Sequence, residues 1–157
     1  MQLSWLDSAE GGAPCTLSDL ESVGVFYRHF STDPARFEPE LSALCQRGGY
    51  TTRDEVSLSP AMPNLQTLLD KFKDEHLHRD DEVRFVLAGE GIFDIRAADG
   101  RWMRVAVEAG DLIVVPADLY HRFFLTERQQ IRCVRLFKDA AGWVPEYRVT
   151  PAPAAMA

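Results

Sequence analysis

The chain has 157 residues, 17 Lys and Arg against 24 Asp and Glu, a formal net charge of −7 and 46% hydrophobic residues. That is enough apolar material for one buried core, whereas an acidic balance without any basic run leaves nothing to neutralise a phosphate backbone, so no nucleic acid is expected as a partner. No apolar stretch approaches the roughly 18 residues needed to cross a bilayer. The N-terminal MQLSWLDSAEGG has neither a basic region nor a long apolar one. The expectation is therefore a cytoplasmic monomer with no signal peptide and no membrane partner.

Three cysteines, Cys15, Cys45 and Cys133, form an odd set without a CxxC pair, which argues against a disulfide framework or a zinc ribbon. They read as reduced thiols, small buried hydrophobes rather than nucleophiles.

In chain order, residues 1 to about 75 read as helical and irregular. Ser18-Asp-Leu-Glu21 fits a capping box, and Glu38 to Gln46 places Leu41, Leu44 and Cys45 at helical spacing. Beyond an extended Glu55-Val-Ser-Leu58, Asn64 can cap a helix. Its Leu65, Leu68, Leu69 and Phe72 follow the i, i+3, i+4, i+7 stripe of a core-facing surface. From residue 82 to about 138 the period changes to short strands: EVRFVLAG, GIFDIRA, RWMRVAVE, DLIVVP, YHRFFL and QIRCVRLF. Ala98-Asp99-Gly100, Gly89-Glu90-Gly91 and Ala109-Gly110-Asp111 read as hairpin turns. Evenly spaced strands without long crossover helices predict an antiparallel barrel or double-sheet jelly roll. The final PAPAAMA, residues 151–157, reads as a disordered tail after one domain over 1–150.

The chemistry concentrates in His76-Leu-His78-Arg-Asp-Asp-Glu82, with His121 on a later strand. On a helix, residues two apart point about 200° from each other, so His76 and His78 could not share one ion there. In a strand they share a face. Glu82 has the same parity, but a straight strand would carry it roughly 20 Å away, far beyond a ligand bond of about 2 Å. The chain must turn at Arg79-Asp80-Asp81, so that Glu82 returns on EVRFVLAG facing the imidazoles. Three imidazoles and one carboxylate suit octahedral Fe(II), Ni(II), Mn(II) or Co(II) with two positions left open. His29 lacks a partner in this scheme and reads as structural.

Glu82, Arg84 and Val86 share one strand face, which points a guanidinium into the cavity of the metal carboxylate. A buried arginine beside a metal is awkward unless an anion arrives. The plainer reading of Arg84 is a salt bridge to Glu75, Asp81 or Glu82. His121 and Phe123 likewise share parity, which brings a ring beside a ligand. Glu75 and Asp81 fit better as carboxylates that orient the imidazoles than as ligands.

The spacing resembles the two cupin motifs. His76, His78, Glu82 and Gly89 fit Gly-x5-His-x-His-x3,4-Glu-x6-Gly, with Asp70 at the leading glycine. Gly110, Pro116 and His121 fit Gly-x5-Pro-x-Gly-x2-His-x3-Asn, with Asp118 at the second glycine and Leu125 at the asparagine. The longer stretches Phe72 to Arg84, Gly89-Glu-Gly91-Ile-Phe93, Val115 to Phe123 and Leu136-Phe-Lys through Gly142-Trp143 resemble the acireductone dioxygenase family over residues 50 to 145. Where that family shows Glu-Asp before the glutamate ligand, this chain has Asp80-Asp81.

The resemblance implies a mainly β cupin jelly-roll barrel over about 76–138 behind an N-terminal helical segment, 1–75. It implies one Fe(II) or Ni(II) per chain, held by His76, His78, Glu82 and His121. The implied reaction is oxidation of 1,2-dihydroxy-3-keto-5-methylthiopentene by O2 in methionine salvage. With iron the products are formate and 2-keto-4-methylthiobutanoate; with nickel they are methylthiopropionate, formate and carbon monoxide. Arg84 would stabilise the enediolate, and Phe72, Phe123 and Trp143 would hold the methylthio tail, although each is equally well a core aromatic. Two other classes stay open: another cupin dioxygenase, isomerase or decarboxylase acting on a small anion, and a non-catalytic cupin that binds a metal or ligand.

Overall fold

The computed structural model describes residues 1–6, 13–138 and 145–148, and its described strands fold into two antiparallel sheets that share one strand. In order the elements are β1 (Gln2–Trp5), α1 (Leu17–Glu21), β2 (Phe26–His29), α2 (Pro34–Gly48), β3 (Thr52–Leu58), α3 (Leu65–Phe72), β4 (His76–Leu77) and β5 (Glu82–Arg96). β6 (Trp102–Glu108), β7 (Asp111–Val115), β8 (His121–Leu125), β9 (Ile131–Phe137) and β10 (Glu146–Tyr147) follow. The first sheet runs β1-β6-β5-β8-β4-β10 and the second β2-β7-β5-β9-β3. The fold is mainly β, a jelly roll as the strand spacing predicts, of the cupin kind that the motif resemblance implies.

Strand parity separates two apolar layers. Val86, Phe93, Ile95, Met103, Val105, Ile113, Val115, Ile131 and Cys133 fill the space between the sheets. On the outer side of the second sheet, Val83, Phe85, Leu112, Val114, Val134 and Leu136 lie under Phe37, Leu41 and Leu44 of α2. Phe37 and Phe85 meet at 4.9 Å between ring centroids. α2 starts on Asp33, whose carboxylate accepts from Ala35 N–H at 3.1 Å, with Pro34 opening the first turn. It ends at Gly49, with a left-handed φ of 74°.

Several expectations change. The N-terminal segment is not merely helical, because β1, β2 and β3 belong to the sheets. β1 and β2 have four residues each, too few to show a period. β3 begins at Thr52 rather than Glu55, its polar start hidden by ion pairs to β9. The capping box is Thr16 with Asp19, not Ser18 with Glu21. Asn64 precedes α3 without a side-chain cap.

EVRFVLAG and GIFDIRA form one 15-residue strand, β5, rather than a hairpin. At its middle the ladder to β9 slips between Val86 and Ala88, and Gly89 takes a φ of +79°. A Cβ on Gly89 would stand 2.1 Å from the Gln130 carbonyl oxygen, so glycine there permits the strand to change sheets rather than to turn back. Ala98-Asp99-Gly100 does close the β5–β6 hairpin, with Ala97 N–H donating to Arg101 at 2.8 Å. Ala109-Gly110-Asp111 instead carries the chain from β6 in one sheet to β7 in the other. His29 sits on β2, where its Nδ1 meets Asp111 at 3.0 Å. The expected tail at 151–157 lies outside the described residues.

Candidate metal centre

Two sheets deliver the histidines and the glutamate to one point. β4 is only two residues long, yet it pairs His76 directly opposite His121, the first residue of β8. His78 follows β4, and its carbonyl accepts Asp118 N–H at 2.9 Å, tying it to the loop before His121. The chain then turns through Arg79, Asp80 and Asp81 and re-enters as β5 with Glu82 first. That turn is held from both sides. Asp80 accepts the N–H groups of Asp81 at 2.8 Å and Lys138 at 2.9 Å. Asp81 accepts Tyr50 Oη–H at 2.6 Å and Ala117 N–H at 2.9 Å. Asp118, at the position where the motif has glycine, adopts a left-handed φ of 68°, a conformation that aspartate tolerates better than most residues.

One ring nitrogen from each of His76, His78 and His121 lies within 4.8 Å of the other two, and all three residues are buried. Glu82 approaches from the second sheet, Oε2 standing 2.5 Å from His121 Nε2 and 3.7 Å from His78 Nε2. The Nδ1–H groups of His76 and His121 donate to the Asp74 and Leu119 carbonyls at 2.7 and 2.8 Å. Because a carbonyl only accepts, these bonds fix the tautomer and leave Nε2 as the lone pair that faces the centre.

The expectation that Glu75 and Asp81 orient the imidazoles is corrected for these two rings, whose partners are main-chain carbonyls. Glu75 is occupied by Arg96 at 2.8 and 3.0 Å and by Arg148 at 3.0 Å. Asp81 organises the turn.

Burial, reinforced by neighbouring His121, depresses His76 to a pKa of about 4, so its ring is neutral at physiological pH. Burial works against the charge of Glu82 too, but Arg84, His121 and His78 outweigh it and hold the carboxyl well below its usual range. For His121 burial is likewise overcome, by the charge and hydrogen bond of Glu82, and its pKa is raised.

With its proton on Nδ1, a neutral His121 would turn a lone pair toward a carboxylate oxygen at 2.5 Å. Such a contact requires a cation, either a second proton or a metal ion. Three imidazole nitrogens and one hard oxygen fit a divalent transition-metal ion.

The centre opens into a cavity of about 400 Å³, lined by Val56, Leu58, Leu68, Phe72, Arg84 and Arg135 beside His78 and Glu82. A narrower recess reaches His76, Phe93, Phe123, Ile131 and Cys133. The structure therefore brings Phe72 and Phe123 together with the metal residues, the two rings meeting edge to face at 6.4 Å. Arg84 meets Glu82 at 2.9 Å, one of the three salt bridges considered from sequence. Trp143 lies outside the described residues.

Not foreseen are Val56, Leu58, Phe93, Ile131, Cys133 and Arg135. Val56 and Leu58 had a usable signal in the alternation of β3. Arg135 had one in sharing parity with Cys133 on β9, but only strand pairing reveals that β9 stands beside the start of β5.

The family model described as ARD/ARD′ matches residues 8–145. The acireductone dioxygenase of Heterostelium pallidum is 46% identical over 136 residues, covering 87% of this chain and 92% of that protein. That of Dictyostelium discoideum is 44% identical over 130 residues, 83% of this chain and 88% of its own. Among solved structures, the acireductone dioxygenase from Bacillus anthracis with a cadmium ion in its active centre superposes with a TM-score of 0.84 at 33% identity. It covers 93% of this chain and 97% of that one. With a family model across most of its length, relatives at this identity and one fold shared end to end, the chain belongs to the acireductone dioxygenase family, metal-dependent dioxygenases.

Proposed function

We propose that the acireductone oxidised by this dioxygenase is 1,2-dihydroxy-3-keto-5-methylthiopentene, and that His76, His78, Glu82 and His121 hold one Fe(II) or Ni(II) per chain for the purpose. The observation that carries this is the convergence of three buried imidazoles and Glu82 at the inner end of a largely apolar cavity that also receives a guanidinium. When bound, the ion would supply a Lewis acid that favours the deprotonated enediolate, whose electron-rich carbons O2 attacks.

The chain's own residues do the rest. Main-chain carbonyls fix the tautomers of His76 and His121, so their donor atoms are preorganised. Arg84, already bonded to Glu82, presents its charge to the enediolate and favours the anionic form of the substrate. Phe72, Phe123 and Phe93, with Val56, Leu58 and Ile131, give the methylthio tail an apolar wall and keep water from the reacting carbons. This substrate places the protein in methionine salvage in the cytoplasm.

The test is reconstitution of one preparation with iron and, separately, with nickel. Both forms should consume acireductone and O2, and only the nickel form should release carbon monoxide, because the same protein shell surrounds either ion. Identical products from both forms would favour a single-outcome dioxygenase, and no O2 uptake by either would remove the substrate assignment. In His121→Ala, full metal content with unchanged coordination spectra would remove the ligand assignment.

A further inference from the structure

Beside Arg84 the cavity wall carries a second guanidinium. β3, β9 and β5 are consecutive in the second sheet, and their register sets Asp54 opposite Arg135 and Arg135 opposite Arg84. Directly opposed residues project to the same face, so the three side chains form one row, which Glu82 extends two residues along β5. The row runs inward: side-chain exposure falls from 41% at Asp54 to 15% at Arg135, 13% at Arg84 and 9% at Glu82. Its charges read minus, plus, plus, minus. Arg135 is held by Asp54 through two hydrogen bonds, from Nε at 2.7 Å and Nη2 at 2.5 Å, while Arg84 is held by Glu82 at 2.9 Å. Both guanidiniums line the same cavity of about 400 Å³.

Like charges directly opposite each other on a sheet destabilise it, and two arginines facing one largely apolar cavity are a costly way to build a wall. The two flanking carboxylates lower that cost and at the same time fix where each guanidinium stands. An anion lying across both would relieve the remaining repulsion. The substrate proposed above has oxygens on three contiguous carbons, two of an enediol and one of a ketone, whereas two suffice to chelate an ion.

We propose that Arg135 is a second substrate anchor beside Arg84, contacting the substrate oxygen that chelation leaves over, and that Asp54 is the positioning residue that aims it. This rests on the acireductone reading. It predicts that the compound's three-oxygen head, rather than its tail alone, is recognised by the protein from the β9 side.

The experiment compares Asp54→Asn, Arg135→Gln and the double variant in metal-loaded enzyme, measuring kcat, KM, metal content, melting temperature and the Kd for acireductone under anaerobic conditions. Asp54→Asn should raise KM and Kd roughly five- to tenfold, with kcat within about threefold and metal content unchanged. Arg135→Gln should raise them at least as much. In the double variant the Asp54 substitution should add nothing, because it acts through Arg135.

A lowered melting temperature with unchanged KM and Kd in both single variants would make the pair purely structural and overturn the proposal. Effects that multiply independently in the double variant would overturn the positioning role. Failure of the wild-type enzyme to consume acireductone would instead overturn the function on which the proposal rests, so the two failures are distinct.

Discussion

Replacing Arg84 by alanine separates charge compensation from catalysis. Arg84 and Glu82 have side chains only 13% and 9% exposed and meet at 2.9 Å. Removing one partner of a buried pair costs about 3–5 kcal/mol, because the other charge is left behind. The low end applies here, since His121 still meets Glu82 at 2.5 Å. For a chain of this size, about 3 kcal/mol corresponds to a fall in melting temperature of roughly 6–12 °C in metal-free protein. A divalent ion held by Glu82 and the three histidines, as proposed, would supply the missing positive charge. In metal-loaded protein the loss should therefore shrink to about 1 kcal/mol or less, roughly 2–4 °C. Turnover should not recover with it. Loss of a charged donor aimed at a developing oxyanion lowers kcat by about 10²–10³. Thermal melts with and without metal, together with O2 uptake per bound ion, read both effects. An equal drop in melting temperature in the two states would show that Arg84 matters for packing rather than for the charge of Glu82. Wild-type turnover per ion would remove its role toward the substrate.

The pH dependence of the metal-free protein follows from His76. Its pKa falls from 6.5 to about 4 on folding, so the folded state binds fewer protons, and stability present above pH 6.5 is lost as pH drops toward 4, by about 3 kcal/mol in total. His121 has the opposite sign: its raised pKa stabilises the fold below 6.5, and that gain disappears as pH rises through the elevated value. His76→Asn should flatten the acid limb of melting temperature against pH, and an unchanged limb would refute the assignment. Gly89→Ala should cost more than about 3 kcal/mol in chemical denaturation, since left-handed strain adds to a backbone clash. Gly100→Ala, at φ +89° with open space around it, should cost only about 1 kcal/mol; equal costs would contradict the clash. Asp118→Gly should raise the melting temperature by roughly 2–4 °C through relief of its φ of 68°, because the exposed pair with Arg79 that it forfeits contributes little. A fall would show that pair to matter.

What the sequence revealed of the centre was its local spacing: His-x-His demands extended backbone, and Glu82 demands a turn after it. Strand identity was equally legible where buried residues alternate over five positions, as from Met103 to Val107 in β6. β1 and β2 are too short to carry a period, and β3 opens with Thr-Arg-Asp-Glu, whose charges meet their partners on β9 and, for Arg53, at Glu38 of α2. The glycines around residue 89 misled for a related reason. Glycine signals an unusual backbone conformation without saying whether the chain reverses or passes from one sheet to another, and only the Gln130 carbonyl pressed against Gly89 decides between them. Glu75 stands next to His76 in sequence, yet its partner Arg96 comes from the far end of β5. Arg135 is invisible without strand pairing, since nothing local connects residue 135 to residue 84.

The single strand that serves both sheets also governs how the molecule can open. β5 bonds to β7 and β9 through its first half and to β6 and β8 through its second, so neither sheet can peel away without breaking ladders on this strand. Local fluctuations that expose a peripheral strand such as β1, paired among the described residues with β6 alone, have no counterpart here, and the amides of Val83 to Val86 and Ile92 to Ile95 should exchange with solvent deuterium only through complete unfolding. Glu82 and Arg84 hang on that least yielding segment. The cavity wall that these two residues form should therefore keep its shape from one turnover to the next.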